Sequence, residues 1–317
     1  MSKIEVRGES VELEHVDSCN LCGSTSYRTV FSAGDDRFPG DPNVYTVVEC
    51  TKCGLGFLNP RPVPKSMGVY YPDDFFSSGE SGQGAQLKFS REMSFVSKKS
   101  GRLLDIGCRN GGFPDFSNKV GFSADGLEIA ANAENKFGVK IYDAFEKVSS
   151  EEYDVVTSWA VFEHLHDPKY YFSEVARVLK RGGEFVFLVP SFFSLRARLM
   201  MYEDIPRHLF FYTPNTLTSY LTDQGFVNIK VVPDEIVYYG GHRRILNWLA
   251  VKAIGREFGV QHRINPWDAY KNKQISLFEL VYLLPFEHLD RLVHKPISKV
   301  LAKLGRHGSI VCSANKA

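Results

Sequence analysis

Four cysteines in two pairs of one spacing are the residues of this chain most ready to do chemistry: Cys19-Asn20-Leu21-Cys22-Gly23 and Cys50-Thr51-Lys52-Cys53-Gly54. Two residues between thiolates let one tight turn offer both sulfurs to one ion, and the glycine that follows lets the backbone bend without a Cβ clash. Two such turns complete a tetrahedral four-sulfur site, which suits zinc, with iron in a rubredoxin-like site as the alternative. Four thiolates leave no open coordination position, so Cys19, Cys22, Cys50 and Cys53 are expected to hold a structural zinc. Cys108 and Cys312 stand alone. Met1 to Asp17 is polar and carries Glu5, Glu9, Glu12, Glu14 and Asp17, the reverse of a secretory signal. Metal-bound cysteines and a cytoplasmic location are therefore expected.

A second constellation runs Leu103-Leu104-Asp105-Ile106-Gly107-Cys108-Arg109-Asn110-Gly111-Gly112. It reads as a strand, a glycine-rich turn and a helix start, a turn that brings backbone N–H groups close to a ligand. A dinucleotide fingerprint would need glycine at 107, 109 and 112. A methyltransferase loop would need an acid at 105 and glycine at 107, 109 and 111. Both fail at Arg109, where glycine would offer a positive φ and close approach. The glycines alone leave the ligand open. Glu128, 23 residues after Asp105 at the next strand end, can accept both hydroxyls of a ribose and serves either ligand.

The segments that follow are more specific. Tyr153-Asp154-Val155-Val156 leading to Phe162-Glu163-His164-Leu165-His166-Asp167-Pro168 resembles the fourth-strand signature of class I S-adenosylmethionine-dependent methyltransferases. Val178-Leu179-Lys180-Arg181-Gly182-Gly183, and Arg207-His208-Leu209-Phe210-Phe211-Tyr212-Thr213-Pro214 continuing to Gly225-Phe226, resemble two further segments of that family. The resemblance spans residues 101 to 232. In bacterial members, paired cysteines followed by a motif like Asn59-Pro60-Arg61-Pro62 precede this domain, and several of those act on sugars or other biosynthetic intermediates.

The resemblance implies roles residue by residue. Asp105, Gly107 and Gly111 would shape the pocket for the methionine part of S-adenosylmethionine, and Glu128 would hold its ribose. Asp143 would reach the adenine amino group, with Ala144 giving backbone contact. Trp159 would line the pocket and Tyr71 would close over it. Methyl transfer to a hydroxyl or carbon acid also needs a base, for which His164 and His208 are the candidates, with Glu163 orienting one of them. His166, His242 and the C-terminal histidines carry no such motif and are expected at the surface. Arg109 could turn outwards, meet the cofactor carboxylate, or mark a non-catalytic binding module.

These residues need a scaffold. Arg102 to Ile106, Ser123 to Glu128, Val139 to Tyr142, Tyr153 to Ser158, Glu184 to Val189, Phe226 to Val232 and Ser309 to Ala314 read as strands. Gly112 to Val120 and the segments opened by Asp167-Pro168 and Thr213-Pro214 read as helices, the first of those two ended by Gly182-Gly183. The alternation predicts an α/β fold with a Rossmann-like doubly wound seven-stranded sheet. Residues 1–66 form a zinc-ribbon-like module, and 67–235 the S-adenosylmethionine-binding core. Residues 236–304 are a helical insertion, and 305–317 the last strand. The insertion reads as three helices, 243–258, 274–285 and 288–304. Ile275 to Phe286 reads as buried, and Trp248, Phe258, Trp267 and Phe278 are candidates for a substrate lid.

Thirty-eight basic residues offset thirty-seven acidic ones, which removes any whole-chain pull towards nucleic acid. An RNA methyltransferase using the cysteine module as its grip is thereby disfavoured. No run reaches the ~20 apolar residues of a membrane span. Long aromatic-rich helices permit a lipid-linked substrate at a membrane surface, but Lys and Arg do not cluster enough to argue it. The expected activity is methyl transfer to a small or carrier-linked biosynthetic molecule, such as a sugar, at carbon or oxygen, by a monomer or homodimer.

Overall fold

Apolar runs with a two-residue period build the layer that carries the site. The structure, a computed structural model, describes residues 2–35, 41–71, 82–130, 134–194, 204–234, 237, 245–256 and 265–317. The chain opens with the hairpin β1 (Ser2–Val6) and β2 (Glu9–Glu14), then β3 (Tyr27–Gly34), β4 (Val44–Cys50), β5 (Gly56–Leu58) and β6 (Arg61–Pro62). There follow α1 (Gln83–Met93), β7 (Gly101–Ile106), α2 (Gly112–Lys119), β8 (Phe122–Leu127), β9 (Ile141–Tyr142) and β10 (Tyr153–Trp159). Next come α3 (Pro168–Val178), β11 (Leu179–Pro190), β12 (Phe210–Phe211), α4 (Pro214–Asp223) and β13 (Phe226–Pro233). Helices α5 (Ile245–Ala253), α6 (Pro266–Lys271) and α7 (Leu277–Lys303) precede β14 (Ser309–Lys316).

The central sheet has seven strands in the order β13-β14-β11-β10-β7-β8-β9. Neighbours from β9 to β11 run parallel, and β14 is antiparallel to both β11 and β13. This is the expected α/β sheet. Alternate residues face opposite sides. Leu103, Val155, Val186 and Leu188 pack with Phe89 of α1 and Phe113 of α2. Leu104, Val156, Phe185 and Phe187 pack with Phe172 of α3 and Leu217 of α4. Strand order reverses between β7 and β10, so their C-terminal ends border a crevice, the place where such sheets bind ligands. The caps are local: Asp167 accepts the Tyr170 N–H ahead of Pro168, and Thr213 and Thr216 form a capping box ahead of Pro214.

The N-terminal sheets are not a separate layer. The sheet of β3, β4 and β5 is completed by β12, with Phe210 opposite Phe57. Val47, Phe57 and Leu58 share one apolar cluster with Leu104, Phe172 and Phe187.

Several expectations need correction. Helix α3 stops at Val178, and β11 begins at once. Tyr153 faces Leu179 but Val155 faces Glu184, so 180–183 bulge from the ladder rather than ending a helix. The two helices expected over 274–285 and 288–304 are one, α7, with Pro285 and Pro296 inside it. Each proline withholds one N–H while keeping a helical φ, and the buried inner face retains the helix. Ile275 to Phe286 is not buried all round: Leu280 and Leu283 point inward, whereas Leu277, Phe278 and Val281 are exposed. Helix α6, capped by Asn265, has no counterpart among the expected elements. Of the lid candidates, Trp267 and Phe278 are exposed and Trp248 is half-buried. Phe258, like His242, lies outside the described residues. Among the described residues no helix is long and apolar enough to cross a membrane.

Candidate active site

The turn after β7 has a shape that side chains would spoil. Gly107 has φ +72°, and a Cβ there would lie 2.3 Å from Val161 Cγ2. Gly111 has φ +89°, and its Cβ would lie 2.6 Å from Val139 Cγ2. Arg109 takes the same left-handed conformation at φ 52°. It therefore follows the path a glycine would take, at a strain of roughly 1–2 kcal/mol. Its backbone N–H donates to Glu128 Oε2 (3.0 Å), and Ala130 N–H donates to Oε1 (2.9 Å). Glu128 thus faces the turn at the end of β8. Burial raises its pKa, opposed by these two N–H bonds. Buried Asp105 accepts from Thr157 Oγ1 (2.7 Å), which locks the ends of β7 and β10 together.

The remaining cofactor candidates divide. Trp159 closes β10, is buried, and meets Phe113 edge to face at 5.6 Å. Its Nε1 has no hydrogen-bond partner among the described residues, an uncommon state for a buried donor and one a ligand would relieve. Ala144, half-buried, precedes a short 3₁₀ turn. Asp143 is not gathered with the others: its carboxylate binds Lys147 at 2.7 Å, and its side chain is 68% exposed.

Three proton-transfer candidates and Tyr71 do come together. Glu163 and His164 lie in the 3₁₀ turn after β10, and His208 just before β12. Leu209 N–H donates to the Glu163 carbonyl at 2.7 Å, tying the two segments. The histidine rings are 4.7 Å apart, and Glu163 Oε1 is 4.0 Å from His164 Nε2. His164 Nδ1 lies 3.0 Å from the Arg207 carbonyl and 3.2 Å from the Tyr71 hydroxyl. A carbonyl can only accept, so Nδ1 carries the hydrogen and Nε2 the lone pair. Burial, then the neighbouring His208, pushes the His164 pKa down to about 3. Ligand atoms of Glu163, His164 and His208 lie within 4.8 Å of one another, close enough to hold a metal ion.

Behind this group lies an ion cluster that the sequence did not announce. Arg207 is fully buried and binds Asp35 at 2.9 Å and Asp204 at 2.8 Å. Burial works against its charge, but the carboxylates of Asp35 and Asp204 outweigh that and raise its pKa. Asp204 Oδ2 is also 3.9 Å from His208 Nε2. The only sequence signal was Arg207 standing beside His208. Asp35 is distant in sequence and could not be inferred. His307 corrects a further expectation: it is 7% exposed rather than at the surface, and neither ring nitrogen has a hydrogen-bond partner among the described residues. It lies two residues before the start of β14, where Ser309 faces Pro190 at the crevice side of the sheet. His166 is half-buried, with Nε2 2.9 Å from the Pro62 carbonyl.

The cysteines converge as a unit. Gly23 (φ +70°) and Gly54 (φ +78°) each close a knuckle, donating N–H to the Cys19 and Cys50 carbonyls. The Cys19–Cys53 and Cys22–Cys50 sulfurs are 3.5 and 3.6 Å apart, and all four lie within 4.8 Å. A zinc tetrahedron with bonds of about 2.3 Å needs sulfurs about 3.8 Å apart, so the residues fit the ion. Asn20, between two of the cysteines, bonds Asp167 (2.9 Å), Lys169 N–H (3.2 Å) and the Tyr220 hydroxyl (2.8 Å). One knuckle side chain thereby grips the starts of α3 and the flank of α4.

Residues 84–231 match the family model described as a methyltransferase domain. An O-methyltransferase of ubiquinone biosynthesis from Thiobacillus denitrificans is 30% identical over 95 residues, 26% of this chain and 41% of that protein. An uncharacterised protein of Methanocaldococcus jannaschii is 32% identical over 140 residues, covering 41% of this chain and 66% of that protein. The chain spans 41–47% of the length of the ubiquinone-pathway relatives it matches. Among solved structures, a SAM-dependent methyltransferase from Archaeoglobus fulgidus shares the fold with a TM-score of 0.50 at 19% identity. That match covers 77% of this chain and 97% of the other.

Proposed function

From its membership in the class I S-adenosylmethionine-dependent methyltransferases, carried by residues 84–231, we propose that the chain binds S-adenosylmethionine in the crevice and methylates a small or carrier-linked biosynthetic molecule. The acceptor atom is a hydroxyl oxygen or an acidic carbon, as on a sugar intermediate. The observation that carries this reading is Glu128, held at the end of β8 by the Arg109 and Ala130 amides with both oxygens beside the glycine turn. Each oxygen keeps a second lone pair for a ribose hydroxyl. The Gly107 and Gly111 surfaces, which a Cβ would fill, and the unpartnered Trp159 Nε1 suit the rest of the ligand. Arg109 in a glycine-like conformation supports a working loop over a non-catalytic module.

S-adenosylmethionine, when bound, supplies a methyl group on a sulfonium already activated for displacement. The chain's residues then align the acceptor and take its proton. His208 is the proposed proton acceptor, with the Asp204 carboxylate behind its Nε2 to stabilise the imidazolium that forms. His164, kept neutral by burial, positions the acceptor through Nε2, and Tyr71 and the Arg207 carbonyl fix its ring. Glu163 orients this pair. Cys19, Cys22, Cys50 and Cys53 hold a structural zinc in this reading.

The test is transfer of tritiated methyl from S-adenosylmethionine to catechols, sugar nucleotides and RNA offered separately. Label in a small hydroxylated acceptor is expected, with His208→Ala lowering kcat about 10²–10⁴-fold. Label in RNA alone, or His208→Ala at full rate, would contradict the proposal.

A further inference from the structure

Among the described residues, one whole face of helix α7 is exposed, and its chemistry is uniform. Phe278, Val281, Leu289, Leu292, Val300 and Leu304 are all exposed, up to 75% for Leu292. Their spacing, together with Pro285 and Pro296, advances by three or four residues, which keeps one stripe along the helix. Arg291, Lys295, Lys299 and Lys303 recur every four residues along one flank of that stripe, and all are exposed. Every acid of the helix is turned inward instead. Glu279, Glu287 and Asp290 are 7%, 7% and 4% exposed, where they cap α7 through Ser276 and bind the start of α5 through Leu246 and Asn247. Among the described residues, the outward face of this helix of 27 residues therefore carries no acid: it presents the apolar stripe, His288 and these cations, of which Arg291 also binds the inward Glu287 at 3.3 Å.

We propose that this face docks on an anionic lipid surface. An apolar stripe flanked by Lys and Arg lies in the headgroup boundary, where stripe residues enter the acyl edge and the cations meet lipid phosphates. The helix lies on the bilayer and does not cross it, because α7 is not apolar enough to span, nor is any other helix among the described residues. A second copy of this chain fits the face less well. The stripe resembles a coiled-coil seam, but the opposing helix would offer no exposed acid to meet these cations, and two prolines sit in the seam. The cationic edge is invisible in the linear sequence because the acids are interspersed with it, and only their burial separates the two charges.

The docking is independent of methyl transfer, which donor binding by the same sample reports separately. The experiment is co-sedimentation of the full chain with vesicles of equal parts phosphatidylcholine and phosphatidylglycerol, and with phosphatidylcholine alone. Binding to the anionic vesicles is expected, weakening by about tenfold or more in high salt or in Lys299→Glu/Lys303→Glu. Leu292→Ser should weaken it as well, with unchanged melting temperature in all variants. Failure to bind anionic vesicles, or binding that neither charge reversal nor Leu292→Ser alters, overturns the proposal. A dimer that Leu292→Ser dissociates, in a protein that ignores vesicles, would assign the face to a second copy and overturn it too.

Discussion

At the scale of single residues, the turn after β7 makes the sharpest demands. Glu128 is held by the Arg109 and Ala130 amides; on the proposed reading its replacement by alanine removes two charged hydrogen bonds to the donor's ribose, each worth roughly 1.5–3 kcal/mol, and should weaken S-adenosylmethionine binding at least about 10-fold. Titration calorimetry reads this directly. Arg109→Gly should change affinity by less than about threefold, because the backbone N–H that holds Glu128 remains. Its stability should shift by under ~1 kcal/mol, since relief of the left-handed strain is offset by glycine's freedom in the unfolded chain. A large gain in affinity would instead show the Arg109 side chain obstructing the crevice. Gly107→Ala places a Cβ 2.3 Å from Val161, so a fall in melting temperature and loss of binding are expected, partly restored by Val161→Ala. The glycine positions, Asp105, Glu128 and the two histidines were legible because each sits in a local motif with a fixed register to a strand end. The Arg207, Asp35 and Asp204 cluster was not, since pairing over 172 residues leaves no local pattern.

At the scale of elements, the cysteine knuckle is a joint rather than an appendage. Asn20 ties it to the Asp167 cap, to Lys169 at the start of α3, and to Tyr220 of α4. Asn20→Ala should therefore destabilise the chain by about 1 kcal/mol, chiefly through the buried Tyr220 hydroxyl losing its acceptor, seen as a lower denaturation midpoint with unchanged metal content. Removing the zinc proposed for the four cysteines with a chelator, or Cys19→Ser/Cys22→Ser, should lower the melting of the central sheet as well as the module. Two separate transitions, with the later one unmoved, would contradict this coupling. Caps were readable from Asp167-Pro168 and Thr213-Pro214 because a helix start depends on a few adjacent residues. The extent of α7 was not readable, because tolerance of Pro285 and Pro296 depends on what the inner face buries. Nor was the start of β11, where 180–183 bulge from a ladder whose partner strand lies 26 residues earlier (Tyr153 to Leu179).

At the scale of the whole molecule, the seven strands and the mostly parallel sheet were legible in the apolar pattern and the βα alternation, whereas the strand order and the antiparallel run of β14 were not, because both depend on distant pairing. The sharing of β12 with the N-terminal sheet was hidden, because a two-residue strand has no period of its own. That shared sheet joins the knuckles to the segment carrying His208. Acid should act on the entire fold. Burial lowers the pKa of His307 below the ordinary value of about 6.5. Below that pH the unfolded chain takes up a proton that the folded chain refuses, so stability is lost as pH falls from about 6.5 towards the depressed value. The loss approaches ~1.4 kcal/mol per pH unit for this one group. His307→Asn should give a shallower acid slope in thermal melts, and an identical slope would contradict the assignment.

The most direct measurement is calorimetric titration of S-adenosylmethionine into the zinc-loaded chain, with Glu128→Ala beside it. A single site with a Kd on the order of micromolar, weakened at least about 10-fold in the variant, is the predicted result. No heat at millimolar donor, or equal affinity in the two proteins, would contradict the proposal that the crevice at the β7–β10 switch point is the methyl-donor site.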